Sequence, residues 1–345
     1  MHTRPFRHLH RMPAPVRRKP LVLAAALSLA LVVAGVASAT PAGLGPPDPQ
    51  SPNASGIEDL YWLLVAVTGA IFVIVEGALI TFAFRFRSRG RGREVEGPQI
   101  RGHTRLELIW TAIPVLILAG IASFVLYKLP GIKDVPAASA GQSRLRVKVE
   151  GHQFYWEFKY PNGVVQVNRM RVPTGRPVVL DITSPDVDHS WWVPALDGKF
   201  DAIPGRTNHT WFKVRRPGTY PGQCGEFCGL QHAAMLTSVQ ALPAAEFDRW
   251  FASEADAQKA GTSSLGSMTF HGACATCHGD NGQGLIGPRL DQNPITADAR
   301  ALATVIRNGR NKMPSVGKTW DKQQLDATIA YLKKRFAPKG ATSGG

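Results

Sequence analysis

The chain has 345 residues, 44% of them hydrophobic, and a formal net charge of +15, which is room for two or three domains that each bury a core. The basic excess falls in residues 1–19 (six Lys/Arg, no acid), 85–105 (seven Arg against Glu94 and Glu96) and 262–345 (eleven Lys/Arg against five Asp). No basic-aromatic module of an RNA or DNA reader accompanies it, so nucleic acid is excluded as a partner. The four cysteines form two close pairs, Cys224 with Cys228 and Cys274 with Cys277; for an exported chain, two structural disulfides are the plain alternative.

Residues 1–39 have a basic start, an apolar run over 21–36 and then Ala37-Ser38-Ala39. That is the order of a cleavable export signal, with cleavage after Ala39 and an uncleaved anchor as the alternative. Residues 41–56, rich in Pro, Gly and Ser, read as an unstructured lead-in. Two segments, 60–84 and 108–127, reach the roughly 20 apolar residues that span a bilayer, giving a transmembrane helical hairpin over residues 57–129. The Arg-rich loop between them faces the cytoplasm by the positive-inside rule. Everything after about residue 129 then lies on the outer face of a bacterial cell (inner) membrane. Glu76 falls inside the first span, where a carboxylate meets a protein partner or a proton path; a helix of another subunit is at least as good a reading as proton transfer.

From Ser143 the pattern changes to short alternating or β-branched runs at 144–150, 164–172, 178–183, 210–214 and 236–242, separated by Gly/Pro turns. Many short strands with such turns predict a β-sandwich or barrel of roughly 100 residues. The chemistry lies in Cys224-Gly225-Glu226-Phe227-Cys228-Gly229-Leu230-Gln231-His232-Ala233-Ala234-Met235. Two thiolates, an imidazole and a thioether form a soft set that favours copper over hard cations. A Cys224–Cys228 disulfide would leave His232 and Met235 unexplained. The spacings also suit one helix face, but Gly222, Gly225 and Gly229 favour a loop wrapped around an ion. A mononuclear blue-copper site uses one Cys; two thiolates can bridge, so two copper ions are the natural count.

Asp188-His189-Ser190-Trp191, the run from Lys199 to Asn208, and the loop at 224–235 resemble cytochrome c oxidase subunit II over roughly residues 57–243. The resemblance implies an all-β cupredoxin-like barrel at residues 143–243 holding the dinuclear CuA centre. His189 and His232 would be its terminal imidazoles, Cys224 and Cys228 its bridging thiolates and Met235 a weak axial ligand. Glu226 would bind through its backbone carbonyl, its side chain reaching a Mg²⁺ shared with subunit I, a hard cation suited to carboxylate. Glu107 matches the carboxylate at the mouth of a proton channel in the family, with helix capping as the alternative. The family's aromatic run is Gln-Trp-Tyr-Trp, whose first Trp accepts electrons from a docked cytochrome c. Here it is Gln153-Phe154-Tyr155-Trp156, so a route to copper by a contact other than Phe154 is expected.

Cys274-Ala275-Thr276-Cys277-His278 is the c-type haem attachment signature, two thioethers and a proximal His. A redox disulfide or half a zinc site shares the paired cysteines; the adjoining His and the export context select haem c. Phe270 belongs to a short helix that the motif ends. Ile286-Gly287-Pro288 resembles the loop that supports the proximal His in class I cytochromes c, and Asn311-Lys312-Met313-Pro314 offers Met313 as sixth ligand. This resemblance spans residues 264–337 and implies an all-α class I cytochrome c domain. Helices are expected near 297–308 and 321–336, with Asp321 as N-cap and Tyr331 packed on the N-terminal helix. His/Met ligation raises the reduction potential, as suits a donor to copper. Residues 252–267, small and polar, read as a linker or hinge.

The resemblances together imply a multidomain subunit II of a caa-type cytochrome c oxidase. Haem c would pass electrons to CuA, and subunit I would reduce oxygen and pump protons. The implied partners are subunit I and other oxidase subunits, the lipid membrane, and an electron donor such as a cytochrome c or a quinol–cytochrome c reductase complex. A CuA-containing nitric oxide reductase subunit is the nearest alternative. From a different class, a copper-delivery or assembly protein would require exchangeable metal and no attached haem. Nitrous oxide reductase would add many His, and quinol oxidase subunit II lacks the copper ligands.

Overall fold

The computed structural model describes residues 45–87, 99, 101–137 and 143–338. The export signal expected at 1–39 and most of the Arg-rich loop lie outside them. Helix α1 (Pro52–Arg85) and helix α2 (Thr104–Lys133) are each long and apolar enough to cross a membrane, with mean hydropathies of 2.5 and 2.3 over their most apolar stretches. Their large apolar side chains, among them Phe72, Ile74, Leu116 and Leu118, face outward, the arrangement of helices solvated by lipid or by another subunit. Glu76 is exposed among them. At the start of α2, His103 Nδ1 accepts from the Leu106 N–H at 3.2 Å while Glu107 Oε1 accepts from the His103 N–H at 3.1 Å. That reciprocal bonding caps the helix.

Helix α1 begins earlier than its apolar run, and residues 52–56 form its first turns. The cause is tertiary. Asn53, fully buried, donates to Asp197 Oδ1 at 2.8 Å and to the carbonyl of Trp211. The Lys213 N–H reaches Ser51 Oγ at 3.1 Å, and Trp211 Nε1 donates to the Ile132 carbonyl at 3.0 Å near the end of α2. Both spans therefore enter the β domain through satisfied buried polar groups.

That domain is two five-stranded sheets. One has the order β3 (Val165–Val167), β2 (Tyr155–Lys159), β1 (Leu145–His152), β5 (Val178–Thr183), β8 (Asn208–Phe212). The other runs β4 (Arg169–Pro173), β10 (Leu236–Leu242), β9 (Gly218–Cys224), β6 (His189–Trp192), β7 (Phe200–Ala202). β1 pairs parallel with β5 and β10 parallel with β4; the other pairings are antiparallel. Val147, Val149, Phe158, Leu180, Ile182, Trp191, Phe212 and Val239 fill the space between the sheets. This is the cupredoxin-like fold expected. The strand expected at 164–172 is split at Asn168, whose φ of 56° lies in the left-handed region that Asn tolerates. The bend carries the chain from one sheet to the other.

The expected hinge at 252–267 is corrected by the structure. Helix α3 (Ala244–Lys259) occupies its first half and packs Phe247 and Ala255 into the β core. The Gln258 side chain accepts from the Val165 N–H at 3.0 Å and donates to the Val165 carbonyl at 2.9 Å, in the manner of an added strand on the β3 edge.

The C-terminal region is helical. Helix α4 (Leu265–Thr269) continues through a wide turn at Phe270–Cys274 into α5 (Ala275–His278). Helices α6 (Ala299–Asn308) and α7 (Lys322–Phe336) follow, capped by Asp298 and Asp321. Tyr331 packs on Phe270 with ring centroids 5.5 Å apart. Gly266 lets α4 lie against α7, since a Cβ there would sit 2.1 Å from the Ala327 carbonyl oxygen. Tyr155 and Val167 of the β domain belong to this helical core.

Candidate copper and haem sites

Strands β6 and β9 bring the first cluster together. Their register pairs Trp191 with Cys224, which sets His189 and Cys224 at one end of a sheet. From Cys224 the chain forms a loop closed by the Cys224 N–H on the Met235 carbonyl at 3.0 Å and the Gly225 N–H on the Ser190 carbonyl at 2.8 Å. His232 sits in a short 3-10 turn, His232–Ala234. Glycine is required at Gly222, where a Cβ would lie 2.7 Å from the Trp192 carbonyl oxygen.

The side chains converge. His189 Nδ1 lies 3.9 Å from Cys224 Sγ, and His232 Nδ1 lies 3.7 Å from Cys228 Sγ. Met235 Sδ is 3.8 Å from Cys228 Sγ, and the Glu226 carbonyl is 3.3 Å from Cys224 Sγ. The ligand atoms of His189, Cys224 and Cys228 lie within 4.8 Å of one another. Both cysteines are buried and unpaired. Burial opposes ionisation of Cys224, but the His189 imidazole and nearby backbone N–H groups bring its thiol down to about 6. Burial, and then the neighbouring Cys224, push Cys228 up to about 12. Two close thiols of which one resists ionisation suit a cation that would stabilise both as thiolates. The soft donor set fits copper.

Asp186 was not singled out in the sequence. Its Oδ1 lies 2.9 Å from His189 Nε2, so Nδ1 is the nitrogen left to face the sulfurs. An outer carboxylate of this kind fixes ring orientation and raises ligand basicity. The signal available was an Asp three residues before a candidate ligand. The Glu226 side chain is half exposed, with Lys199 Nζ at 3.5 Å.

A second grouping of ligand-type residues, Glu150, His152 and Glu157, is a charge network. Lys159 Nζ lies 2.8 Å from a carboxylate oxygen of each glutamate. Despite burial, His152, Lys159 and Lys148 hold Glu150 well below the usual carboxylate range.

The helical region encloses an apolar cavity of about 590 Å³, within the range of cofactor pockets. Cys274, Cys277, His278 and Met313 all line it. His278 Nδ1 lies 2.7 Å from the Pro288 carbonyl, which sets the tautomer and turns Nε2 inward. A Cβ on Gly287 would fall 2.8 Å from the same ring, so the loop at 286–288 lies flat against it. Met313 is held by a tight turn in which Arg310 and Met313 exchange backbone bonds of 3.1 and 2.9 Å. Free cysteines, an oriented imidazole and a thioether around an apolar cavity fit a covalent haem.

The cavity wall also contains Gln153 and Phe154, the two-residue turn between β1 and β2. On its other side this turn meets the copper loop, since a Cβ on Gly229 would lie 3.2 Å from the Phe154 ring. Phe154 therefore lies between the two clusters, with a phenyl ring where the family's run has an indole.

Residues 39–127 match the family described as Cytochrome C oxidase subunit II, transmembrane domain, and residues 164–242 match Cytochrome C oxidase subunit II, periplasmic domain. Residues 263–332 match Cytochrome C oxidase, cbb3-type, subunit III. The chain is 30% identical over 313 residues to cytochrome c oxidase subunit 2 of Alkalihalophilus pseudofirmus, covering 83% of this chain and 89% of that one. It is 32% identical over 229 residues to the probable cytochrome c oxidase subunit 2 of Rickettsia bellii, covering 60% and 82%. Among solved structures, the periplasmic domain of subunit II of cytochrome oxidase of Bradyrhizobium japonicum is 33% identical, covering 35% of this chain and 97% of that one, with a TM-score of 0.33.

Proposed function

The chain belongs to the cytochrome c oxidase subunit II family, a membrane-anchored subunit of a haem–copper oxidoreductase complex, and from that premise we propose that it is the electron-relay subunit of a caa-type oxidase. When bound, a covalent haem c and a dinuclear CuA centre supply the one-electron carriers. The chain's own residues hold, orient and shield them. His189, His232, Cys224 and Cys228, with Met235 and the Glu226 carbonyl, form the copper cradle. Cys274 and Cys277 would tether the haem, and His278 and Met313 would hold its iron.

The observation that carries this reading is adjacency. One turn, Gln153–Phe154, lines the haem cavity and touches the copper loop. Residues 57–129 anchor the chain, and both redox domains stand on the outer face of a bacterial inner membrane. The exposed Glu226 carboxylate would exchange its Lys199 partner for a Mg²⁺ shared with subunit I, where oxygen is reduced. A cytochrome c or a quinol–cytochrome c reductase complex supplies electrons at the haem.

The test is the full chain matured with haem and loaded with copper, read by metal and haem content and electron paramagnetic resonance. The expected spectrum is that of one electron shared between two copper nuclei, with one covalent haem per chain. A single-copper spectrum with exchangeable metal and no attached haem would assign the chain to copper handling.

A further inference from the structure

Gln153 is committed in three directions. Its Nε2 donates to the Cys228 carbonyl at 2.8 Å. Its backbone N–H donates to Asp186 Oδ2 at 2.7 Å, and the other oxygen of that carboxylate lies 2.9 Å from His189 Nε2. The residue also lines the cavity that holds Cys274, Cys277, His278 and Met313. The contact is tight, since a Cβ on Gly229, the residue after Cys228, would lie 3.1 Å from Gln153 Nε2.

Much of that cavity is walled by aliphatic side chains such as Leu290, Leu302 and Ile306. A carboxamide in such a wall is costly unless bonded, and this one is bonded to the copper loop. Phe154 touches the same two regions by van der Waals contact. Gln153 reaches the copper loop through hydrogen bonds, which fix direction as well as distance, and meets the cavity only as part of its wall.

We propose that Gln153 is a positioning residue for the copper centre, set at its border with the haem cavity. Its carboxamide holds the Cys228 backbone, and with it the bridging sulfur. Its backbone N–H steadies Asp186, and with it the His189 ring. Its seat in the cavity wall places this bonded group between the haem cavity and the copper loop. The proposal rests on the reading that the loop holds copper and the cavity holds haem.

Gln153→Leu and Gln153→Met, made in the full haem- and copper-loaded chain, keep the volume and remove the donor. Haem absorbance stays parental, the copper hyperfine spectrum shifts, and haem-to-copper transfer after flash reduction slows about tenfold, the lower end of what losing an outer-sphere partner does. Should the leucine variant fail to load copper, the methionine variant decides. A parental spectrum and rate in the variants overturn the proposal. So does a slower rate in Phe154→Leu with none in the Gln153 variants, which would put the link in the ring. A parent without the shared-copper spectrum refutes the underlying reading instead, before any variant is compared.

Discussion

Gly151 shows how closely the copper cradle is built, because a Cβ there would lie 3.0 Å from three atoms of the His189 side chain. Gly151→Ala must push the ring away from Cys224. The expected result is copper affinity lowered roughly ten- to hundredfold with the haem absorbance unchanged, measured by copper titration; unchanged affinity would show that the ring can shift without consequence. Sequence spacing made the cysteines, histidines and methionines legible, because ligand chemistry restricts residue type. It could not reveal Gly151, Asp186 or Gln153, whose roles exist only once β1 of one sheet packs against β6 of the other. Asp197 is a further case. Burial pushes its carboxyl up to about 8 from an ordinary 3.8, against bonds from Thr210 and the Gly198 backbone. Between those pH values the native state keeps a proton that the unfolded chain has released, so stability falls as pH rises and levels off above about 8. Asp197→Asn can keep the Asn53 and Gly198 bonds on its oxygen and should flatten that decline. Thermal midpoints from pH 4 to 9 would read it; parallel curves for parent and variant would mean that Asp197 is ionised in the folded chain.

At the scale of elements, the edges of the reading follow what each segment packs against. The strands at 178–183 and 236–242 were legible because one face is buried and the residues alternate. β2 was not, since four of its five residues are buried on both faces and no alternation remains. β6 and β7 are short and paired through register alone. The second half of helix α3 reads as hinge because residues 252–259 are small and polar, yet Ala255 packs into the β core and Gln258 bonds the β3 edge. Gln258→Ala removes both bonds to Val165, leaving its buried N–H unpaired and its carbonyl with only the 3.3 Å bond from Gln166 Nε2. A loss of about 1–3 kcal/mol is expected from denaturant unfolding, and a loss below a few tenths would mean that water replaces the amide.

For the whole molecule, the decisive feature is that the redox domains share a core. Tyr155, fully buried, accepts from Trp320 Nε1 at 2.7 Å and donates to the Val316 carbonyl at 3.0 Å. Gln324 Nε2 donates to the buried Glu157 at 2.8 Å, and a Cβ on Gly272 would lie 2.2 Å from Val167 Cγ1. Domains joined by a free linker move relative to one another by default, but separating these would break the Gln324 bond to Glu157 and both bonds of the Tyr155 hydroxyl, at a cost of about 1–3 kcal/mol for each buried group left unpaired. Haem-to-copper transfer in the loaded chain should therefore be unimolecular, and flat with both solvent viscosity and ionic strength. Reduction of the haem by an outside donor is a separate encounter. The eleven Lys/Arg of residues 262–345 favour an acidic partner, and that step should slow as salt screens the attraction. Flash reduction separates the two rates. A transfer rate that drops as viscosity rises would show a swinging haem domain, and would mean that the shared core opens during turnover.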